Sequence, residues 1–279
     1  VILHNTPPSA DDDVIFDSNS FLSNGQTVSV NTENAVCKNL DWSTVTNNPT
    51  FINTTSVNIR IFGSFILSSN MQYLYGGTLT FESTNSGNII ETAGHLILNN
   101  IIFGGINGEW TLADNLSLEG TIFHNYGNFQ TNSMVISCNN FNSATTNNRM
   151  LILGNSKVIA SGSWSINSTN LVLYSGTSQL TIGNKLSNAG NTIITYNKIF
   201  FPTGSFIENA GAYVYYDSII GGGSNGIVQG NCYINYLEMF GNGTVSVNDT
   251  LKFVRFHGIG TLDGNHVVDT ARFDTIGNI

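Results

Sequence analysis

Glu82, Glu91, Glu109, Asp114 and Glu119 form the densest group of carboxylates in the chain. Two carboxylates on one face can cleave a glycosidic bond, one as the acid and the other as base or nucleophile. Glu91 and Glu109 stand 18 residues apart, a spacing that would stack them if the chain coils with a period near 20. No Lys or Arg lies between Arg60 and Arg149 to pair with them or to neutralise an acidic sugar. Solvated turn residues are therefore the favoured reading of this group, and no catalytic residue is assigned.

A second acidic group, Asp11, Asp12, Asp13 and Asp17, has the oxygen chemistry of a Ca²⁺ site. The ligand–spacer alternation of such sites is missing, because three adjacent Asp side chains cannot all turn inward. A solvated turn and a Ca²⁺ site are the two readings, the turn being favoured. The histidines (His4, His95, His124, His257 and His266) have no metal-ligand spacing and read as surface or strand residues. Gly221-Gly222-Gly223-Ser224-Asn225-Gly226 is not followed by Lys and reads as a loop rather than a phosphate cradle. Tyr73, Tyr75, Tyr213, Tyr215, Tyr216, Tyr233 and Tyr236 read as exposed aromatics that could stack on sugars. Tyr213 and Tyr215, two apart, share one face of a strand and are the carbohydrate-binding candidates.

These residues are carried on many short runs of alternating polarity, such as Val57-Asn58-Ile59-Arg60-Ile61-Phe62 and Ser163-Trp164-Ser165-Ile166, separated by turns rich in Gly, Asn and Ser. The alternation is that of β-strands, and no amphipathic helical window is found. Asn-Gly and Asp-Gly pairs are too few for a hairpin-built sandwich. Runs of similar composition recur around Asn39, Asn100, Asn140, Asn197 and Tyr236, at intervals of 61, 40, 57 and 39 residues. These are close to multiples of about 20, the signature of a solenoid. The reading is all-β: a right-handed parallel β-helix of about 20 residues per coil over 35–279, with 1–34 as an N-terminal cap. Asn39, Asn100, Asn140 and Asn197 are expected to form a ladder of stacked amides along its axis.

Composition agrees. Charged residues are 10% of the 279, against the usual quarter or so, as stacked coils would place like charges over one another. A content of 41% hydrophobic residues, with 17 Phe and 10 Tyr, excludes disorder. A net charge of −9 and scattered cations exclude nucleic acid as partner and disfavour anionic membranes. No apolar run is long enough to span a bilayer as a helix. Cys37, Cys138 and Cys232 are read as buried thiols, since coils hold Cys37 and Cys138 too far apart for a disulfide. The sequence opens on Val1 and closes on Ile279 without an evident cap, and the expectation is a piece of a longer protein.

Asp11-Asp12-Asp13-Val14-Ile15-Phe16-Asp17, Gly25-Gln26-Thr27-Val28-Ser29-Val30 and Cys37-Lys38-Asn39-Leu40-Asp41-Trp42 resemble the start of large β-helical surface proteins of Bacteroidota. These include gliding-motility adhesins and other cargo of the type IX secretion system. Gly108-Glu109-Trp110-Thr111-Leu112 and Asn148-Arg149-Met150-Leu151-Ile152-Leu153 resemble their repeats. The resemblance implies an extracellular chain at the surface of a Gram-negative bacterium. It also implies O-glycans at Asp-Ser/Thr followed by an apolar residue, which here places them on Ser218, Thr250, Thr270 and Thr275. The expected function is that of a non-enzymatic structural or adhesin segment that binds polysaccharide or a partner protein. The alternatives are a polysaccharide lyase or hydrolase of the β-helix type, and a passive segment recognised by a secretion machine.

Overall fold

The computed structural model describes residues 6–53, 57–204, 206–223, 225–246 and 249–275, the side chains of Asn34 and Asp249 excepted. Among them every regular element is a β-strand. The strands pair in parallel with their counterparts one coil on, so the fold is a parallel β-solenoid. The chain divides into two compact units, Val1–Met134 and Val135–Ile279.

In the first unit each coil has three sides. Val14–Ile15, Leu40–Asp41, Phe65–Ile66, Asn88–Glu91, Glu109–Leu112 and Gly127–Gln130 line one side. Thr27–Val30, Thr50–Asn53 and Gln72–Leu74 begin the second. Asn34–Cys37, Asn58–Ile61, Leu79–Phe81 and Ile101–Phe103 run up the third. Alternate residues point inward, as in Asn58–Ile61, where Ile59 and Ile61 are buried and Asn58 and Arg60 exposed. Because like residues sit above like, aromatic rings meet along the axis. Phe81 stacks on its register partner Phe103 at 5.5 Å, and Phe129, from another side of the coil, meets Phe103 across the core at 4.5 Å. Each buried ring is worth about 1.5–3 kcal/mol of transfer free energy, and each ring pair adds about 0.5–1.5 kcal/mol.

The second unit begins with three-sided coils, among them Lys157–Ala160, Trp164–Asn167 and Leu171–Tyr174. It then changes form. From Ile194–Phe201 onward long strands, Phe206–Gly221 and Gly226–Met239, each run through a corner. Tyr216 pairs with Ile234 and Ser218 with Tyr236, so the ladder skips Asp217 and Asn235. The next coils skip Lys252 and Asp269 in the same place. At each skip the alternation changes phase, and two consecutive side chains face outward.

The coil length is not constant. Val14 pairs with Leu40, a step of 26 residues. Val158 pairs with Leu180, a step of 22, and Val254 with Ala271, a step of 17. The expected period of about 20 thus lies inside a series that varies from coil to coil and is shortest at the end of the chain. The shortening accompanies the loss of a separate third strand in each coil. The three cysteines are buried in the core and none is in a disulfide. Burial pushes the Cys37 and Cys138 thiols up to about 12.

Candidate functional site

Beyond the corner of the second unit, outward residues form a grid. Tyr236, Phe253 and Thr270 make one column, and Glu238, Arg255 and Arg272 the next. Phe240, His257 and Asp274 follow one strand position further, tied by backbone bonds from His257 N to Met239 O and from Asp274 N to Phe256 O, both 2.9 Å. Each column steps by 17 residues. The inward Leu237, Val254 and Phe256 anchor the grid in the core.

The grid carries the densest charge network of this unit. His257 Nε2 lies 2.9 Å from Glu238 Oε1, and His257 Nδ1 lies 2.8 Å from Asp274 Oδ2. Tyr236 Oη donates to Glu238 Oε2 at 2.8 Å. Arg255 Nη2 meets Asp274 Oδ2 at 2.9 Å, and Arg255 Nη1 reaches Glu238 Oε1 at 3.7 Å. Arg272 Nε approaches Asp274 Oδ1 at 3.4 Å. The hydrogen bond with His257 is the main reason that Glu238 is held below the usual carboxylate range. The Arg255 guanidinium does the same for Asp274. Burial, and next the bond to Glu238, push the Tyr236 hydroxyl up. His257 Nε2 is hydrogen-bonded to Glu238 and Nδ1 lies within ion-pair distance of Asp274, so the ring joins three successive coils.

On the other side of the corner lies an aromatic row. Tyr213 and Tyr215 meet edge to face at 5.3 Å and 63°. Tyr215 and Tyr233, paired across neighbouring coils, are 5.6 Å apart at 41°. Tyr215 is 39% exposed. Tyr236 and Phe253 instead lie parallel, at 5.1 Å and 3°. Parallel rings cover each other's faces, whereas tilted rings leave face area that a partner does not cover. It is the electron-rich ring face that attracts sugar C–H groups. Tyr213 and Tyr215 therefore share a face as the alternation expects, and Tyr233 extends it. Tyr73, Tyr75 and Tyr216, read from sequence as exposed, are buried instead. Their inward phase was hidden because runs of consecutive aromatics and corner residues blur the alternation.

The remaining candidates fall in separate places. Asp12 Oδ2 accepts from Ser9 N at 2.8 Å, Asp13 Oδ1 from Asn39 Nδ2 at 2.7 Å, and Asp17 Oδ1 from Asn19 N at 2.9 Å. Asp11 N donates to Ser9 Oγ at 3.3 Å. The bonds of Asp11, Asp12 and Asp17 are turn chemistry and that of Asp13 joins neighbouring coils, and among the described residues no three His, Cys, Asp or Glu side chains converge as metal ligands. Glu91 does not stack on Glu109. The register sets Glu91 opposite Ile66 and Glu109 opposite Asn128, and Ile90 faces Leu112. A coil of 22 residues, not 18, separates the partners here.

Three of the four anchor asparagines share one function. Asn39 Oδ1 accepts from Ser64 N at 2.6 Å, Asn100 Oδ1 from Thr121 N at 2.8 Å, and Asn140 Oδ1 from Ser163 N at 2.8 Å. Each is an amide-to-backbone bond to the next coil, not the amide-to-amide ladder expected from spacing. A glycine precedes each donor residue, and a Cβ on Gly63, Gly120 or Gly162 would fall 2.2, 2.6 or 2.4 Å from the Asn Oδ1. The anchors also occupy different corners: Asn39 precedes Leu40–Asp41, whereas Asn100 precedes Ile101–Phe103. Asn197 acts as donor instead, to Ser178 O at 3.2 Å.

Of the Asp-Ser/Thr sites, Thr270 and Thr275 are exposed and Ser218 and Thr250 half-buried. Thr275 Oγ1 donates to Gly258 O at 2.6 Å. His4 lies outside the described residues. His95 Nε2 is 2.8 Å from Ser68 O, and the buried His124 Nε2 is 3.1 Å from Gly127 O. The Glu238–His257–Asp274 network went unread in the sequence because the period sought was about 20. A 17-residue comparison of Tyr236–Phe240, Phe253–His257 and Thr270–Asp274 aligns it. No protein-family model, curated protein or solved structure matches the chain.

Proposed function

We propose that this chain is a non-enzymatic structural segment of a secreted, cell-surface protein of a Gram-negative bacterium, and that it binds polysaccharide. The observation that carries the reading is the row Tyr213–Tyr215–Tyr233, three aromatic rings tilted to one another on the outside of successive coils. Neutral sugar rings dock on such faces through C–H contacts, and a rigid sheet presents them without an ordering cost. Few charges stand beside the row, so the glycan it suits is neutral or weakly charged. The parallel backbone ladders give the segment its mechanical role, transmitting load from coil to coil. Another surface protein, or a secretion machine carrying the chain, is the alternative partner. The absence of chemistry is supported by the separation of Glu91 from Glu109.

The test is affinity electrophoresis through gels containing neutral and acidic polysaccharides. Retardation by at least one polysaccharide is expected, with about a tenfold loss of affinity in Tyr215→Ala or Tyr233→Ala. Mobility unchanged by every polysaccharide would sink the binding reading. Release of new chain ends, abolished by Glu238→Gln, would replace it with an enzyme.

A further inference from the structure

We propose that Asp217 and Asn235 are the hydroxyl-reading side of a sugar subsite whose floor is Tyr215 and Tyr233, and that it takes a neutral pyranose with adjacent unsubstituted hydroxyls. The subsite belongs to the glycan-binding face proposed above and rests on that reading.

Each of the two rings has a polar residue beside it. Asp217 stands two residues after Tyr215 and Asn235 two after Tyr233, and the residues between, Tyr216 and Ile234, are buried. The alternation therefore turns Tyr215 with Asp217, and Tyr233 with Asn235, to the outside, about 7 Å apart along each strand. Tyr215 and Tyr233 are register partners, and the ladder resumes at Ser218 and Tyr236, beyond the two corner residues. Asn235 Nδ2 donates to Asp217 Oδ1 at 3.2 Å, so the corner side chains meet from coil to coil as the rings do. Both corner residues are exposed.

The chemistry of these four residues has two halves. The tilted rings offer π faces to C–H groups. The corner pair offers hydrogen bonds. Its internal bond uses one carboxylate oxygen and one amide hydrogen, which leaves Asp217 Oδ2 and Asn235 Oδ1 as acceptors and the second amide hydrogen as a donor. A pyranose is divided in the same way, with C–H groups on its faces and hydroxyls, each both donor and acceptor, around its rim. Laid flat on the rings, its rim meets the corner pair. A hydroxyl that donates to a carboxylate makes a charge-assisted bond, stronger than a neutral one. The same carboxylate repels an acidic sugar, so the subsite selects for neutral ones.

The floor spans two coils. In the same column Thr195, Thr250 and Val267 stand where the rings do, on strands that carry Asn197, Lys252 and Asp269 at the corner. The polar corner runs on without aromatic support, and the site is one short subsite rather than a continuous track.

The experiment is affinity electrophoresis through gels holding dextran, xylan or galactomannan, each as made and after O-methylation. Methylation removes the hydroxyl donors and keeps the C–H faces. The native chain is expected to be retarded by at least one of the three, and to lose about tenfold in affinity when that polysaccharide is methylated. Asp217→Ala should lose about tenfold on the unmodified polysaccharide and nothing further on the methylated one. Asp269→Ala, at the same corner position beside Val267, should behave as the native chain. If the native chain binds and Asp217→Ala and Asn235→Ala bind equally well, the subsite is overturned and the tyrosine row stands. Losses from methylation and from Asp217→Ala that add in full overturn it too. Mobility unaffected by all three polysaccharides removes both the subsite and the glycan-binding reading.

Discussion

Asn188 Nδ2 donates to Asn209 Oδ1 at 2.9 Å, one coil to the next, inside the core of the second unit. The two residues are register partners. Around them the Trp164 indole donates to Tyr196 Oη at 3.0 Å, and Tyr196 Oη donates to Asn188 Oδ1 at 2.8 Å. Tyr216 Oη is 2.9 Å from both Asn188 Nδ2 and Asn209 Oδ1. All five side chains are buried, and burial pushes both tyrosine hydroxyls up. Gly230 closes the stack, since a Cβ there would fall 2.1 Å from Asn209 O. An amide-to-amide bond of the kind expected at the corners thus occurs here, once, in the interior.

Removing Asn188 orphans more groups than removing Asn209. Asn188 bonds Tyr196, Tyr216 and Asn209, whereas the Asn209 Nδ2 has no hydrogen-bond partner even in the intact protein. Each buried polar group left unsatisfied costs about 1–3 kcal/mol. Asn188→Ala should therefore destabilise by about 3 kcal/mol, and Asn209→Ala by clearly less. Urea unfolding of both variants measures the difference. Equal midpoints would show that the number of orphaned groups does not set the cost.

The corner asparagines make a second, local prediction. Gly162 sits where a Cβ would lie 2.4 Å from Asn140 Oδ1 and 3.0 Å from Asn139 O. Gly162→Ala should destabilise by about 1–3 kcal/mol as an overpacked contact. Asn140→Ala should cost about 1 kcal/mol for its lost bond to Ser163 N. The double variant should be less damaged than the sum, because removing the Asn140 amide frees the space. A double-mutant cycle reads the coupling. Strict additivity would mean that the neighbouring backbone sets the limit.

How far the sequence could be read follows from where the signal lies. Alternation in runs such as Asn58–Ile61 marks strand and inward face directly, because every second residue meets the core. Coil length has no such signal. It is set by corners and loops, where Asp217, Asn235, Lys252 and Asp269 drop out of the ladder without any hydrophobic mark. A period near 20 emerges, and its variation between 26 and 17 does not. The Glu238–His257–Asp274 grid was lost to that variation. Asn39, Asn100 and Asn140 could be recognised as special residues, but spacing does not tell an amide partner from a backbone N–H. Asn188 and Asn209 were legible in principle. Each stands two residues after a buried aliphatic, Leu186 or Ile207, and so on the inward face.

Arg149 is a buried cation held by oxygen acceptors. Nε donates to Ser143 Oγ at 2.7 Å and Nη2 to Ser143 O at 2.9 Å. Further bonds run to the carbonyls of Asn147, Asn167 and Thr169. Burial pushes the guanidinium down to about 10. Arg149→Met keeps the apolar stem and orphans these carbonyls, and should cost about 3 kcal/mol. Arg149→Lys should recover little of it, because three donors on one nitrogen cannot match the planar fork. Thermal unfolding at neutral pH ranks the three proteins. A lysine variant as stable as the native chain would show that charge, not geometry, holds this corner.

Acid should loosen the Glu238–Asp274 grid. Glu238 and Asp274 are both held below their ordinary values, Glu238 first by His257 and Asp274 first by Arg255. A carboxyl whose affinity for protons is lower in the folded chain makes the unfolded chain bind more protons between the two pKa values. Stability then rises with pH across that window. The contribution is complete above the unfolded values, near 4, and is lost as pH falls through the lower folded values. Melting temperatures between pH 2 and pH 7 should therefore fall less steeply on acidification in Glu238→Gln and Asp274→Asn than in the native protein. The variants should already be the less stable at neutral pH and should converge on the native curve at the acid end. Parallel curves throughout would place the acid response in other carboxylates.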